Sequence, residues 1–258
     1  MSKALEVLVR DGFILVFNSN ELDVVKTAEA LQKAGMNNME ITCRIENALE
    51  KISELKRVKP EFIAGAASLI DFEGMRSVYN RANPSQPIPT VQEAVDCGSD
   101  YLVSAINFSA DSYEKFAGEL PMVPGCGTAT EIVTQYAMGA NFCKLFPASV
   151  IGGVDYIKSI DPAVHKMVNI MPTGGTNSSN IPAYIDAGVL ILGGSFSMFK
   201  EAFKIIVAEQ DYDLLAAELT KVKQQIDSER ARKYPSLDFK TATLEEIQRV
   251  TGRNFNLK

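Results

Sequence analysis

The sequence predicts an α/β protein: a closed (β/α)8 TIM barrel with a C-terminal helical extension. Three observations lead there. First, eight short apolar runs alternate along the chain with segments of helical spacing, and that alternation implies βαβ units on a parallel sheet. Second, eight units at roughly 25 residues each are what a closed barrel of this kind needs. Third, the 258 residues, 46% hydrophobic and 22% charged, suit one large globular domain rather than a disordered or fibrous chain. The competing fold is an open doubly wound sheet. It calls for Gly-x-Gly-x-x-Gly after the first strand, and that motif is missing there.

The elements follow in order. The first run is Phe13–Phe17, and Leu22, Val25, Ala28 and Leu31 then recur at three and four before Gly35, a helix with its stop signal. Met39–Cys43 is the second run, followed by a helical stripe of Ile45, Leu49, Ile52 and Leu55. Phe62–Ala67 is the third. Residues 71–98 are long for one connection; Asn83-Pro84-Ser85-Gln86-Pro87-Ile88-Pro89 reads as a loop between two helical pieces. Tyr101–Ala105, Met122–Pro124, Phe142–Phe146, Val168–Met171 and Val189–Leu192 complete the eight. Some 60 residues remain. Leu215, Leu219, Val222 and Ile226 mark an amphipathic helix, Tyr234-Pro235-Ser236 interrupts, and Thr243-Leu244-Glu245-Glu246 resembles a capping box for a last helix ending near Gly252. With no shift in composition, residues 1–211 are expected to form the barrel and 212–258 an extension of the same domain.

Composition excludes several functions. A net charge of -6 argues against a generally basic surface for nucleic acid or anionic membrane. No apolar run reaches the ~18–20 residues of a membrane span. Met1–Val7 carries Glu6 and no long apolar core, so no secretory signal is expected and a cytoplasmic location is. Cys43, Cys97, Cys126 and Cys143 form no Cys-x-x-Cys pair, which fits reduced core thiols better than a zinc knuckle or a disulfide framework. The dispersed acids show no divalent-ion spacing, so no metal is expected. The one histidine, His165, falls before the seventh strand, at the far end of the barrel from the chemistry, and is read as structural or surface.

Active sites in such barrels lie at the carboxyl ends of the strands. Lys144 stands out inside Asn141-Phe142-Cys143-Lys144-Leu145-Phe146-Pro147. Period two puts Phe142, Lys144 and Phe146 on one face. Desolvation of a lysine favours the neutral, nucleophilic amine of Schiff-base chemistry; a lysine snorkelling to water at the strand end is the plainer alternative. On the second run Glu40, Thr42 and Arg44 share one face and Met39, Ile41 and Cys43 the other. In a half-exposed strand the polar set would face solvent. In a barrel it must point inward, where a carboxylate and an arginine need partners or functions: a proton shuttle and a substrate-carboxylate site.

Glycine adds another signal. Thr173-Gly174-Gly175-Thr176 follows the seventh strand, and Gly193-Gly194-Ser195 the eighth. Paired glycines let backbone N–H groups approach an anion, the next helix N-terminus favours negative charge, and phosphate sites in these barrels are frequently built there. A lone Gly-Gly is usually only a turn. Pro124-Gly125-Cys126-Gly127-Thr128 has two readings, as site lining or as a tight strand-to-helix turn.

Taken in order, Met39-Glu40-Ile41-Thr42-Cys43-Arg44, Gly65-Ala66-Ala67-Ser68, Lys144-Leu145-Phe146-Pro147-Ala148, Pro172-Thr173-Gly174-Gly175 and Gly193-Gly194-Ser195 resemble the family of 2-keto-3-deoxy-6-phosphogluconate (KDPG) and 4-hydroxy-2-oxoglutarate (KHG) aldolases. The resemblance spans about residues 10–205. It implies a class I enzyme of carbohydrate metabolism, in the Entner–Doudoroff route, in which a lysine forms an imine with pyruvate without metal or other cofactor. By that likeness Lys144 is the Schiff-base nucleophile and Glu40 the acid/base, aided by a water. Arg44 holds the substrate carboxylate, Ser68 stands where the family usually has threonine and keeps its hydroxyl, and Thr173 is a hydroxyl beside the pyruvate carboxylate. Phe146 packs on the imine, and Gly174, Gly175, Gly194 and Ser195 take a phosphate. The resemblance also implies a small 2-keto acid as partner, phosphorylated, and a homotrimer.

The favoured reaction is reversible cleavage of KDPG to pyruvate and glyceraldehyde 3-phosphate. A related 2-keto acid, 4-hydroxy-2-oxoglutarate or 2-keto-3-deoxy-6-phosphogalactonate, is the nearest alternative, and a non-catalytic phosphosugar-binding barrel a third. The chain departs from the family in three places: Ser104-Ala105-Ile106 stands where Ser-Pro-Gly is usual, the 71–98 connection is long, and the extension has no counterpart.

Overall fold

The computed structural model describes residues 3–160 and 167–257; His165, read from sequence as structural or surface, lies outside them. The chain is an α/β protein with parallel strands and many helices. Strands β1 (Phe13–Phe17), β2 (Asn38–Thr42), β3 (Ile63–Leu69), β4 (Tyr101–Ser104), β5 (Met122–Val123) and β9 (Leu192–Ser195) form one parallel sheet in the order β5-β4-β3-β2-β1-β9. A second sheet holds β6 (Gly125–Cys126), β7 (Cys143–Leu145) and β8 (Ile170–Pro172), in the order β6-β7-β8.

Two expectations change here. The fifth run, expected at Met122–Pro124, is a strand only at Met122–Val123; Pro124 has no N–H for the ladder and separates it from a second short strand at Gly125–Cys126. Across this break Gly125 N donates to Ile106 O at 3.0 Å, and an isolated parallel bridge links Thr173 with Gly193. The eighth run, expected at Val189–Leu192, begins as a strand only at Leu192 and takes in both glycines. Phe13–Val16 pair with Leu192–Ser195 in register, so tertiary pairing overrides the low strand preference of glycine. A Cβ at Gly194 would collide with Met198 and Phe13, so packing as well as any ligand demands a glycine here.

Period two sorts the side chains. On β1, Phe13, Leu15 and Phe17 turn outward into the main core beneath the helices, while Ile14 turns inward. Helices α2 (Val24–Lys33) and α3 (Ala48–Val58) bury the expected stripes: Ala28 and Leu31 on α2, Ile52 and Leu55 on α3. Asp23 caps α2 by accepting from Lys26 N at 2.8 Å. The long connection is two helices, α4 (Glu73–Ala82) and α5 (Val91–Asp96), joined by the proline-rich loop. Asn80 pins that loop, accepting from Ile88 N at 2.8 Å and donating to Ile88 O at 3.0 Å. Thr90 and Glu93 then build a capping box on α5. Beyond β4 come α6 (Ala110–Phe116), α7 (Ala129–Met138), α8 (Gly153–Ser159) and α9 (Ile181–Asp186); α10 (Glu201–Glu209) follows β9.

The amino ends of the strands are closed by both termini. Helix α1 (Lys3–Asp11), which the sequence reading did not mark, buries Leu5, Leu8 and Val9 beside Tyr101, Phe142 and Phe255. Helix α11 (Tyr212–Lys233) buries Leu215, Leu219, Val222 and Ile226 as expected, and α12 (Leu244–Thr251) carries the Thr243 capping box. Arg230, 1% exposed, donates to the carbonyls of Val9, Arg10 and Leu190 and lies 4.3 Å from the Phe239 ring centroid. Asn169 Nδ2 reaches Asn254 O at 2.6 Å, and Asn141 Nδ2 reaches Phe255 O at 2.9 Å. The extension therefore packs on its own chain.

Candidate active site

The carboxyl ends of the strands surround a cavity of about 420 Å³. Glu40, in mid-β2, and Lys144, in mid-β7, point into it from opposite sides. Lys144 Nζ donates to Glu40 Oε1 at 2.9 Å. Their side chains are 7% and 1% exposed, so the pair is screened from water and each charge depends on the other. Glu40 Oε2 is buried and has no hydrogen-bond partner among the described residues. The Phe146 ring lies 5.7 Å from Nζ. It is 38% exposed and forms part of the mouth.

Arg44 and Ser68 meet at the next strand ends. Arg44 Nε donates to Ser68 Oγ at 3.1 Å. Ser68 has φ +61°, in the left-handed region that costs a residue with a Cβ about 1 kcal/mol or more. The β3–β4 register shifts between Ala66 and Leu69, so a bulge re-aims Ser68 toward Arg44. Among the described residues, Lys144 and Arg44 are the two cations lining the cavity and Glu40 the one acid.

The opposite wall carries Thr173, Gly174, Gly175, Gly194 and Ser195. Gly174 and Gly175 have φ +88° and +85°, a conformation glycine adopts without a steric penalty. A side chain at Gly175 would overlap Ser149. The α-helix expected to begin directly after this pair starts only at Ile181; Asn180 Nδ2 holds the intervening loop by donating to Gly175 O at 2.9 Å. A single 3-10 turn, Phe196–Phe199, follows Ser195, and Ser195 Oγ lies 2.9 Å from Ser197 Oγ. Helix dipoles thus contribute less on this wall than the sequence reading supposed; backbone amides and hydroxyls line it instead.

All ten candidate residues, from Glu40 to Ser195, line this one cavity. A model of the KDPG and KHG aldolase family matches residues 8–216. The chain belongs to the KDPG/KHG aldolase family. It is an aldolase. The 2-dehydro-3-deoxy-phosphogluconate aldolase of Pseudomonas aeruginosa is 27% identical over 205 residues, 76% of this chain and 83% of that one. The KHG/KDPG aldolase of Escherichia coli is 28% identical over 190 residues, 73% and 79% of the two chains. Among solved structures, the 2-keto-3-deoxy-6-phospho-gluconate aldolase of Zymomonas mobilis superposes with a TM-score of 0.64 at 25% identity, covering 84% of this chain and 94% of that one.

The aldolase cavity also contains residues the motifs did not single out. Asn18 reaches it from the end of β1, Thr176 and Ser197 from the glycine loops, Ile70 from the end of β3 and Met75 from α4 in the long connection. Ala105 and Ile106, where the family usually has proline and glycine, continue that apolar side. Asn18 was open to inference from its place after an apolar run; Met75 was not, because helix α4 had to be folded back over the strands first. The Pro124–Thr128 segment does not line the cavity: Gly125–Cys126 is strand β6, and the chain turns into α7 at Gly127 and Thr128. The backbone of Ala105 packs on Gly125, and Thr128 caps α7 by accepting from Glu131 N at 3.2 Å. Among the described residues no group of three or more His, Cys, Asp or Glu is placed to hold a metal ion, and no helix is long and apolar enough to cross a membrane.

Proposed function

We propose that this aldolase reversibly cleaves KDPG to pyruvate and glyceraldehyde 3-phosphate through a Schiff base on Lys144. The observation that carries the reading is the buried Lys144 Nζ–Glu40 Oε1 contact of 2.9 Å facing the cavity. A proton moving across it leaves a neutral amine, which adds to the C2 carbonyl of the substrate. Glu40 returns that proton to the carbinolamine hydroxyl, which leaves as water and gives the iminium, with Glu40 again a carboxylate. Glu40, aided by a water, takes the C4 hydroxyl proton; the C3–C4 electrons flow to the iminium nitrogen, and glyceraldehyde 3-phosphate leaves. Protonation of the enamine at C3 and hydrolysis then release pyruvate and regenerate the amine.

Arg44 and Ser68, joined at 3.1 Å, hold the substrate carboxylate with Thr173, an ionic contact made in ground and transition states alike. Gly174, Gly175, Gly194 and Ser195 receive the phosphate, and Phe146 packs on the imine. In this reading the two sheets close through the Pro124 segment and the Thr173–Gly193 bridge into one eightfold barrel, residues 1–211, with 212–258 as its extension. The enzyme acts in the cytoplasm as a homotrimer on a small phosphorylated 2-keto acid.

Borohydride reduction with pyruvate tests the chemistry. One pyruvate-derived adduct is expected on Lys144, located by peptide mass mapping; no adduct, or one on another lysine, rejects the Schiff-base reading. Turnover of phosphorylated against unphosphorylated substrates then decides among the 2-keto acids.

A further inference from the structure

Tyr101 sits beneath the cavity, outside its lining, fully buried on β4. Its register is informative. Glu40 on β2 pairs with Gly65 on β3, and Gly65 pairs with Tyr101. The three residues form one rung across adjacent parallel strands, so the Glu40 and Tyr101 backbones are about 10 Å apart. The residue between them has no side chain. A Cβ at Gly65 would overlap the Tyr101 ring atoms Cε2 and Cζ. The ring therefore lies across Gly65, with its hydroxyl end carried toward β2.

Two buried polar atoms on this rung have no hydrogen-bond partner among the described residues: the Tyr101 hydroxyl and Glu40 Oε2. One is a donor and the other an ionisable acceptor, and leaving each unmade is costly. We infer that one buried water bridges the two, accepting from the Tyr101 hydroxyl and donating to Glu40 Oε2, and that Tyr101 is a positioning residue for this carboxylate. Glu40 is then held at both oxygens, Oε1 by Lys144 and Oε2 by Tyr101 through that water. That fixes the carboxylate plane against the amine. Burial pushes the Tyr101 phenol well above its ordinary range, and the Glu40 charge adds to that push, so the phenol remains a donor at any working pH. The other ionisable groups round this rung are Lys144 on β7, Arg44 beyond the end of β2, Asp100 just before β4, and Asp11 below, bonded to Asn38. Asn38 Oδ1 is also buried and unpartnered; it is the competing acceptor.

The inference rests on the aldolase reading for its consequence, but its contact can be tested without turnover. Tyrosine labelled at 13Cζ gives a resonance for Tyr101, assigned by its loss in Tyr101→Phe. In Glu40→Gln this resonance is expected to move more than those of the other seven tyrosines. A Tyr101 signal that ignores Glu40→Gln, or that responds to Asn38→Ala instead, overturns the contact. In Tyr101→Phe the acid limb of pyruvate imine formation is expected to move up by about one pH unit with the thermal midpoint unchanged or raised. An unmoved limb with trapping intact overturns the positioning role. If the native protein traps no pyruvate, the proposed function falls, and the labelled resonance alone decides the contact.

Discussion

Lys144 and Glu40 are 104 residues apart in the chain, yet Nζ lies 2.9 Å from Oε1 with both side chains buried. Neither is well placed without the other. A lone buried charge is far more costly than a pair, and removing one partner of such a pair typically costs 3–5 kcal/mol.

Lys144→Met is therefore expected to abolish pyruvate trapping and to destabilise the fold by about 3 kcal/mol. Adding Glu40→Gln should recover most of that loss without restoring trapping. Urea denaturation of the single and double variants checks it. A double variant no more stable than Lys144→Met would refute the mutual dependence of the pair.

Ser68 trades backbone comfort for function. Its φ of +61° suits glycine, so Ser68→Gly should gain about 1 kcal/mol, or roughly 2–4 °C in Tm. The same change removes the oxygen that Arg44 Nε bonds at 3.1 Å, and KM for pyruvate addition should rise. A lower Tm would mean that this hydrogen bond outweighs the strain.

Ser195→Ala should raise KM for a phosphorylated substrate several-fold and leave kcat nearly intact, because it removes binding shared by ground and transition states. Steady-state kinetics on a matched unphosphorylated substrate is the control. An equal effect on both substrates would count against a phosphate role for this wall.

Arg230→Ala should leave the carbonyls of Val9, Arg10 and Leu190 without the donors that Arg230 now supplies. Unsatisfied buried acceptors cost about 1–3 kcal/mol each, and a loss of about 3 kcal/mol would lower Tm by roughly 6–12 °C. Pyruvate trapping below the new midpoint should be unchanged. Native-like melting of this variant would mean that the extension is not an anchor at the amino ends of the strands.

The thiols give a pH test. Burial pushes Cys97 up to about 11 and Cys43 to about 12. The thiolate is the reactive form, so at pH 8 roughly one Cys97 in a thousand is reactive. Its modification by a disulfide reagent should be slow at pH 8 and accelerate roughly tenfold per unit up to about pH 11, with Cys43 slower still. Rapid labelling of either thiol at pH 8 would contradict the burial.

The site was legible in the sequence because its parts are short and ordered along the chain. Polar residues at every second position of an apolar run, a lysine amid apolar neighbours, and glycine pairs after two further runs each leave a local mark. In an α/β fold those runs end on the same side of the sheet, and the resemblance to the aldolase family then assigned ten residues to one site. Strand boundaries were less legible. Period and propensity put the last strand at Val189–Leu192, whereas pairing with β1 moved it onto Gly193 and Gly194. The proline at 124 was visible, but its division of the strand depends on which neighbours seek hydrogen bonds there.

The sequence by itself determined the α/β class, the order of the elements and the residue types of the chemistry, because these follow from local periodicity and from side-chain chemistry. Tertiary structure alone decided the remainder. It brought Lys144 to Glu40, placed Met75 in the cavity wall, laid Tyr101 over Gly65, and turned the extension from an appendage into a buried seal through Arg230. Each of those depends on contacts between residues far apart in sequence, with register and packing choosing which partners meet; no single segment encodes them.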